Sequence, residues 1–126
     1  MPPTTMTLTE ALLANGVDKT NPAYDSVVIA AAPRWLTRVW GSDIAAMTVS
    51  RRIYVGEKAL RKITDGNAAK LLRHESVHVD QWQRHGRVGF LARYLGDYLR
   101  GRAAGLSHSA AYRAIAFERE ASSKSE

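Results

Sequence analysis

Two histidines and a glutamate lie within the short segment His74-Glu75-Ser76-Val77-His78. In a helix, residues four apart project from nearly the same face, so His74 and His78 can direct their imidazole nitrogens at one metal ion. Glu75 follows the first histidine, where its carboxylate can reach a water on the metal without binding the metal itself. Zinc (Zn²⁺) lowers the pKa of a bound water, and Glu75 would take the proton as that water attacks a carbonyl. The spacing therefore predicts zinc-dependent hydrolysis of a peptide or amide bond, with Glu75 as the catalytic base.

The same residues could instead be surface side chains that match a short pattern by chance, because so few fixed positions make a weak signature. Their neighbours favour the metal interpretation. Four apolar residues share the inward half of the predicted helix with the motif: Leu71, Leu72, Val79 and Trp82. Buried histidines and a buried glutamate are costly without a metal or another partner. We therefore expect a metal site.

A catalytic zinc ion needs a third protein ligand. The chain has no cysteine, and the residues after His78 lack the glycine and histidine spacing of metzincins. A glutamate from the last predicted helix remains, either Glu118 or Glu120. Glu118 continues the face of the small residue Ala111, which would permit close helix packing, so we predict Glu118 as the third ligand. Both glutamates could also be ordinary surface acids, and for Glu120, four residues before Lys124, we prefer that interpretation.

Oxyanion stabilisation in metallopeptidases usually requires a hydrogen-bond donor near the reacting carbonyl. Tyr112 is our first candidate for that catalytic role and Tyr54 our second, although either could equally be a core or rim aromatic residue. Gln81 and Trp82 could line the site, but core packing explains Trp82 better. The sequence leaves these alternatives open.

Other polar residues have simpler explanations. His85 precedes a glycine and is expected to cap the end of the motif helix. His108 lies alone in a predicted loop, so we assign it no role. Arg51 and Arg52 could flank a substrate cleft or form the charged tip of a hairpin, and the sequence does not distinguish these possibilities.

The motif must be positioned by regular elements, and the sequence predicts several. A helix over residues 68–85 contains the motif and ends at Gly86, because glycine is the most common residue just after a helix. Residues 44–55 have the β-rich pattern of one or two short strands. Further helices are expected over residues 88–100 and 110–123. The first of these carries two apolar stripes, typical of a largely buried helix: Leu91, Leu95 and Leu99 on one, and Phe90, Tyr94 and Tyr98 on the other.

The remaining segments give weaker patterns. Thr7 and Glu10 have the spacing of a capping box at the start of a short helix. Residues 24–40 fit either a helix or a strand that leads into a helix. Residues 57–63 can form a helical turn, and the loop 64–67 offers candidate N-caps for the motif helix. We expect an α+β fold that is predominantly helical, with a small β-sheet or hairpin packed on the motif helix.

A chain of 126 residues is typical of one domain, so we expect a single domain over residues 1–126 with a loosely packed N-terminal segment (1–22) and a loose tail (124–126). No signal peptide or membrane-spanning stretch is evident, so we expect a cytoplasmic protein with no membrane association. The net charge of +6 could indicate an acidic partner, but interspersed acids favour a solvated surface.

Three segments together resemble a known family: residues 71–82, Gly89-Phe90 with Tyr94, and Ala111-Tyr112-Arg113 with residues 117–121. They are similar to the small bacterial zincin-like metallopeptidases with a glutamate third ligand, called minimal gluzincins. The resemblance covers roughly residues 44–122. It implies a zincin-like domain with the zinc ligands His74, His78 and Glu118 and the base Glu75. Many gluzincins have an aspartate four residues after the third ligand, whereas this chain has Ser122.

Two functional classes follow. The first is a zinc metallopeptidase, a hydrolase that acts on a peptide or protein substrate. The alternative is a non-proteolytic zinc-containing module of the zincin fold that binds a protein or nucleic acid. Glu75 favours catalysis, because a binding module has no chemical need for a carboxylate beside the metal. A nucleic-acid partner is not expected, since the sequence has neither a recognisable motif nor a basic stripe.

Overall fold

The computed structural model describes residues 6–40 and 45–125. The elements in these residues, in chain order, are β1 (Met6–Thr7), α1 (Leu8–Ala14), a 3₁₀ helix (Pro22–Ser26), β2 (Val28–Ala31), α2 (Arg34–Trp40), β3 (Ala46–Val49), β4 (Arg52–Val55), α3 (Glu57–Thr64), α4 (Ala69–Ala103), α5 (His108–Ala114) and α6 (Ala116–Lys124). The predicted α+β, predominantly helical fold class is confirmed. Across the described residues, no helix combines the length and apolar character needed to cross a membrane.

The strands form one mixed sheet in the order β1-β2-β4-β3. β3 and β4 form an antiparallel hairpin in which Ala46 pairs with Val55, and the chain turns at Ser50, where φ is 57°. β2 runs parallel to β4, and β1 is antiparallel to β2. The hairpin confirms the short strands predicted within residues 44–55. The ambiguous segment 24–40 contains a strand followed by a helix.

One face of the sheet packs against α1, α3 and the first part of α4. Ile53 and Val55 on that face are fully buried, and Leu12 from α1 and Leu72 from α4 complete the same apolar cluster. The alternation of a strand explains this arrangement, since every second side chain of β4 faces the helices. The core therefore lies between the sheet and the motif helix.

The start of α1 has the predicted capping box. The Thr7 hydroxyl accepts a hydrogen bond from the Glu10 amide at 3.1 Å, and the Glu10 carboxylate accepts one from the Thr7 amide at 2.9 Å. The bond from the Thr7 amide to the carboxylate is the main cause that lowers the pKa of Glu10. We expected loose packing over residues 1–22, but Leu8 is fully buried in the core. Residues 1–5 lie outside the described part of the chain.

The first turn of α4 is capped from a distant part of the chain. None of the N-cap candidates in the loop 64–67 serves, because the helix begins after Ala68, which has no side-chain cap of its own. The Asn15 side chain accepts a hydrogen bond from the Ala68 amide at 2.8 Å. Its amide group also donates to the carbonyls of Ala11 and Ile63, at 2.8 and 3.1 Å. Asn15 thereby joins α1, α3 and α4.

Gly86 divides α4 into two helical parts, which we call the motif half (69–85) and the second half (87–103). Its φ of 72° and ψ of 171° are not helical. Only glycine adopts this combination readily, because a Cβ atom would clash with the backbone. The predicted end of the motif helix at Gly86 is confirmed.

The second half of α4 was expected to be largely buried on two apolar stripes. This expectation is wrong for the leucine stripe. Leu91, Leu95 and Leu99 are 54%, 56% and 55% exposed, whereas Phe90 is 4% exposed. The difference arises because α6 packs on the Phe90 side, where Phe90 stacks on Phe117. No element among residues 6–40 and 45–125 covers the leucine side.

The final helix predicted over residues 110–123 is also wrong, because the structure has two helices there. Ile115 adopts an extended conformation, with φ −60° and ψ 129°, and separates α5 from α6. Ile115 is fully buried, so the break is part of the packed structure. Beyond α6, Ser125 is buried and its carbonyl accepts a hydrogen bond from Arg73 at 3.0 Å, contrary to the expected loose tail. Glu126 is not described.

Candidate metal centre

The motif half of α4 directs two imidazole rings toward one carboxylate. Nε2 of His74 and Nε2 of His78 each lie 3.1 Å from Oε1 of Glu118, which comes from the first turn of α6. The three candidate ligand atoms all lie within 4.8 Å of one another. His78 and Glu118 are buried, and His74 is partly exposed. The structure therefore brings the three predicted ligands together.

The break at Ile115 decides how Glu118 reaches this position. Because α5 and α6 are separate helices, the face of Ala111 does not continue to Glu118, so periodicity alone could not have placed it. Ala111 instead packs against the second half of α4. A Cβ atom added at Gly101 would lie 3.1 Å from the Ala111 Cβ, so this close approach depends on glycine. The Asp97 carboxylate accepts a hydrogen bond from the Ala116 amide at 3.2 Å and so caps α6.

Gln81 holds the ring of His78. The Gln81 side-chain oxygen lies 2.8 Å from Nδ1 of His78 and can only accept, so Nδ1–H donates this bond and Nε2 is the ring nitrogen directed at the cluster. The Gln81 amide group donates to the Phe117 carbonyl at 3.0 Å and to the Glu120 carboxylate at 2.7 Å. Gln81 is fully buried and positions His78, a role that we did not assign from the sequence. Its place three residues after His78 was the available signal.

Glu75 lies beside the cluster and is held by the sheet. Its side chain is 4% exposed, and its carboxylate accepts a hydrogen bond from the Thr48 hydroxyl at 2.8 Å. Burial raises the pKa of Glu75 above its usual value, although the charges of His78 and His74 act to lower it. Thr48 also accepts a bond from the Trp82 indole at 3.2 Å through its carbonyl. The strand β3 therefore fixes the Glu75 side chain. The sequence pattern did not indicate this contact between β3 and the motif half.

Hydrogen bonds and charge interactions oppose the effect of burial on two of the ligands. Burial favours the neutral form of Glu118, but hydrogen bonds from His74, His78 and Tyr94 hold its pKa well below the usual value. Burial likewise disfavours protonation of His78, but the hydrogen bond and charge of Glu118 outweigh it and raise the pKa of His78. The cluster is thus built around an ionised carboxylate.

Two tyrosines lie next to Glu118. The Tyr94 hydroxyl donates to the second carboxylate oxygen of Glu118 at 2.7 Å. Tyr112 borders the same cavities as Glu75 and Glu118, and burial together with the nearby Glu118 charge raises its pKa. The alternative candidate, Tyr54, is opposite Met47 in the hairpin, on the other face of the sheet from Thr48. Tyr54 is therefore directed away from the motif half. Of the two tyrosines predicted from the sequence, Tyr112 lies at the site and Tyr54 does not.

The cluster faces two cavities. A cleft of about 1360 Å³ reaches His74, Glu75, Tyr112 and Glu118 from the side of α3. A smaller pocket of about 170 Å³ adjoins the same glutamates and is lined mainly by apolar residues: Met47, Val49, Trp82, Phe90 and Leu91. Phe90 stacks between Trp82 and Phe117 at centroid distances of 4.2 and 4.9 Å, which makes a rigid aromatic base for this pocket.

The other sequence candidates lie apart from the cluster. The His85 ring packs 5.0 Å from the Phe117 ring, just before Gly86. His108 begins α5 and bonds to the Tyr98 hydroxyl at 2.8 Å. Arg51 lies in the hairpin turn and Arg52 is the first residue of β4. Neither arginine lines the cleft. Glu120 is 3.4 Å from Lys124, as expected of an i,i+4 pair.

The donor set fits a zinc ion. Two imidazole nitrogens and one carboxylate oxygen are ligands that zinc accepts, and three protein ligands leave a coordination position open. The hydrogen bond from His78 Nδ1 to Gln81 is of the kind that orients metal-binding histidines. The residues present could therefore hold such an ion.

Comparisons with protein-family models, curated proteins and solved structures gave no match to this chain.

Proposed function

We propose that this chain is a zinc-dependent metallopeptidase of the gluzincin type, which hydrolyses peptide or amide bonds with Glu75 as the base. The convergence of ligand atoms from His74, His78 and Glu118 within 4.8 Å supports this most directly. Glu75 is a further buried carboxylate that borders the same cleft without belonging to the ligand cluster. A site that only bound zinc would not need it.

When bound, the zinc ion would supply Lewis-acid polarisation and a lowered pKa for water at the site. Glu75 would accept a proton from the attacking water and pass it to the leaving amine. Burial raises the pKa of Glu75, which suits a group that must both accept and release a proton near neutral pH. Thr48 holds one carboxylate oxygen at 2.8 Å, so Glu75 keeps one orientation during the transfer.

Tyr112 would donate a hydrogen bond to the developing oxyanion of the substrate. It lines both cavities, and its hydroxyl is a proton donor at neutral pH, because the ordinary tyrosine pKa already lies near 10 and burial raises it further. Tyr94, whose hydroxyl donates to Glu118 at 2.7 Å, is less suited to this role because it lines the smaller pocket and not the large cleft. A donor that is positioned in advance stabilises charge that appears only in the transition state.

The Glu75→Gln variant tests the proposal. We expect the wild-type chain, purified without chelator, to contain zinc by elemental analysis and to cleave unstructured peptides, followed by mass spectrometry. Glu75→Gln should retain zinc but lose about 10²–10⁴-fold in rate, because the base is gone and the ligands remain. His78→Ala should lose zinc. Glu57→Gln is the matched control, since Glu57 is exposed and lines the cleft outside the cluster.

The same measurements separate the alternatives. A wild-type chain without zinc would overturn the metal site and the enzyme together. A zinc-containing chain that cleaves no peptide would contradict catalysis and favour a non-proteolytic binding module. Equal loss of rate in Glu57→Gln and Glu75→Gln would contradict the assignment of Glu75 as the base.

A further inference from the structure

The large cleft has basic walls. Six lysine and arginine residues line it: Arg34, Lys58, Lys62, Lys70, Arg113 and Arg119. All six are exposed. Apart from Glu75 and Glu118 at the cluster, Glu57 is the only acidic residue lining the described part of the cleft, and it lies 3.8 Å from Arg61. The walls therefore carry a large excess of positive charge.

Within residues 6–40 and 45–125, no carboxylate neutralises any of these six residues. The salt bridges of the described residues involve other cations, and no carboxylate there lies within 4.0 Å of any of the six. The charges also come from separate parts of the chain. Lys58 and Lys62 are one turn apart on α3, whereas Arg113 and Arg119 belong to α5 and α6. Unpaired charges of one sign around a cleft focus the field and attract the opposite charge.

We propose that the cleft selects peptide segments rich in aspartate and glutamate next to the bond that is cleaved. This inference rests on the proposed metallopeptidase function. The ligand cluster and Glu75 define the reacting position, and the apolar pocket of about 170 Å³ beside it suits one uncharged side chain. The basic walls then bind acidic residues of the substrate in the 1360 Å³ cleft.

Nucleic acid is the other polyanion that such a cleft could attract, but two features favour a peptide. Tyr112 and His74 carry the only rings that line the described cleft, and proteins that bind single strands usually offer several aromatic platforms. In addition, the proposed reaction breaks a peptide or amide bond, which the backbone of a nucleic acid lacks.

Hydrolysis of matched peptides tests the inference. Three fluorogenic peptides share one central sequence and carry flanking glutamates, glutamines or lysines. We expect the zinc-loaded chain to have a kcat/KM for the acidic peptide about tenfold above that for the neutral one, and lowest for the basic one. The preference should weaken between about 0.02 M and 0.5 M NaCl, because salt screens exposed charges.

A pair of double variants locates the preference. Lys58→Gln/Lys62→Gln removes two wall charges and should reduce the acidic preference about fivefold to tenfold. Arg87→Gln/Arg93→Gln removes the same charge from exposed residues that do not line the cleft, and should retain the preference. Equal effects of both double variants would overturn the inference, since net charge alone would then explain the preference.

Binding, measured by fluorescence anisotropy with the Glu75→Gln chain, separates this inference from the proposed function. Tight binding of the acidic peptide, lost in the wall variant, supports the inference even if no peptide is cleaved by the wild type. Cleavage of all three peptides at equal rates contradicts the inference and leaves the metallopeptidase intact. Tighter, wall-dependent binding of a single-stranded oligonucleotide than of the acidic peptide would assign the walls to nucleic acid and overturn the inference.

Discussion

Gln81 is the residue that links the candidate metal centre to the rest of the fold. Its side-chain oxygen accepts the proton on Nδ1 of His78, and its amide group holds the start of α6 through Phe117 and Glu120. One buried side chain therefore selects the His78 tautomer and fixes the helix that carries Glu118. Gln81, and not the residue at position 122, is therefore the side chain that orients the candidate ligand His78.

Gln81→Leu should weaken zinc binding while preserving the core volume. Without the acceptor on Nδ1, the His78 ring loses its fixed tautomer and orientation, and we expect the zinc Kd to rise about 10–100-fold. Competition with a chromophoric chelator measures this change. Gln83→Leu, at an exposed position on the same helix, is the control and should leave the Kd unchanged. A wild-type Kd in Gln81→Leu would show that Gln81 does not orient the ligand.

Glycines at two positions shape the helices around the site. Gly86 permits the change of direction that brings Phe90 next to His78 and Tyr94 to Glu118. Gly101 permits the close packing of α5, which carries Tyr112. The long helix α4 therefore contributes to the site twice, through ligands in its motif half and through supporting aromatics in its second half.

Gly86→Ala should destabilise the protein through backbone strain alone. Nothing lies within 4 Å of a Cβ atom added at Gly86, but its φ of 72° and ψ of 171° are unfavourable for alanine. We expect a loss of about 1–3 kcal/mol in the free energy of unfolding, measured with urea. Gly89→Ala is the matched control: it is helical, and the new Cβ would contact His85 at an ordinary 3.6 Å. The control should stabilise by about 0.5–1 kcal/mol, and equal effects of both would contradict the strain explanation.

At the scale of the whole molecule, Asn15 ties the N-terminal helix to the elements that carry the site. It bonds to Ala11, Ile63 and Ala68, which belong to the end of α1, the end of α3 and the start of α4. These contacts span up to 53 positions in the sequence. The start of the motif half is thus held in place by a residue far from it in the chain.

Asn15→Ala should destabilise the protein because it removes three buried hydrogen bonds, and the Ala68 amide loses its side-chain acceptor, whereas the Ala11 and Ile63 carbonyls keep backbone partners. We expect a loss of about 2–3 kcal/mol in the free energy of unfolding, from the buried Ala68 amide left without its acceptor and the two other lost hydrogen bonds. Chemical denaturation followed by circular dichroism provides the measurement. Asn67→Ala changes an exposed asparagine in the loop before α4 and should shift stability by less than about 0.5 kcal/mol. Similar losses in both variants would refute the role of Asn15.

Interactions between near neighbours in the chain determined what could be predicted from the sequence. The spacing of His74 and His78, the capping box at Thr7 and Glu10, and the helix end at Gly86 each depend on backbone geometry within a few residues. The structure has all three features. The β3–β4 hairpin could be predicted for the same reason, since the alternation of a strand and the residues of a turn are local signals.

Tertiary packing decided the rest. Glu118 was selected on the premise of a continuous last helix, yet it reaches the histidines because that helix breaks at Ile115. Thr48 and Tyr94 also join the site from distant segments, and periodicity carries no information about such partners. The exposure of Leu91 likewise depends on which elements pack nearby. The sequence therefore predicts which residues share one face of a helix or strand. Only the folded chain determines which residues from distant segments contact that face, because such contacts arise from packing and not from local backbone geometry.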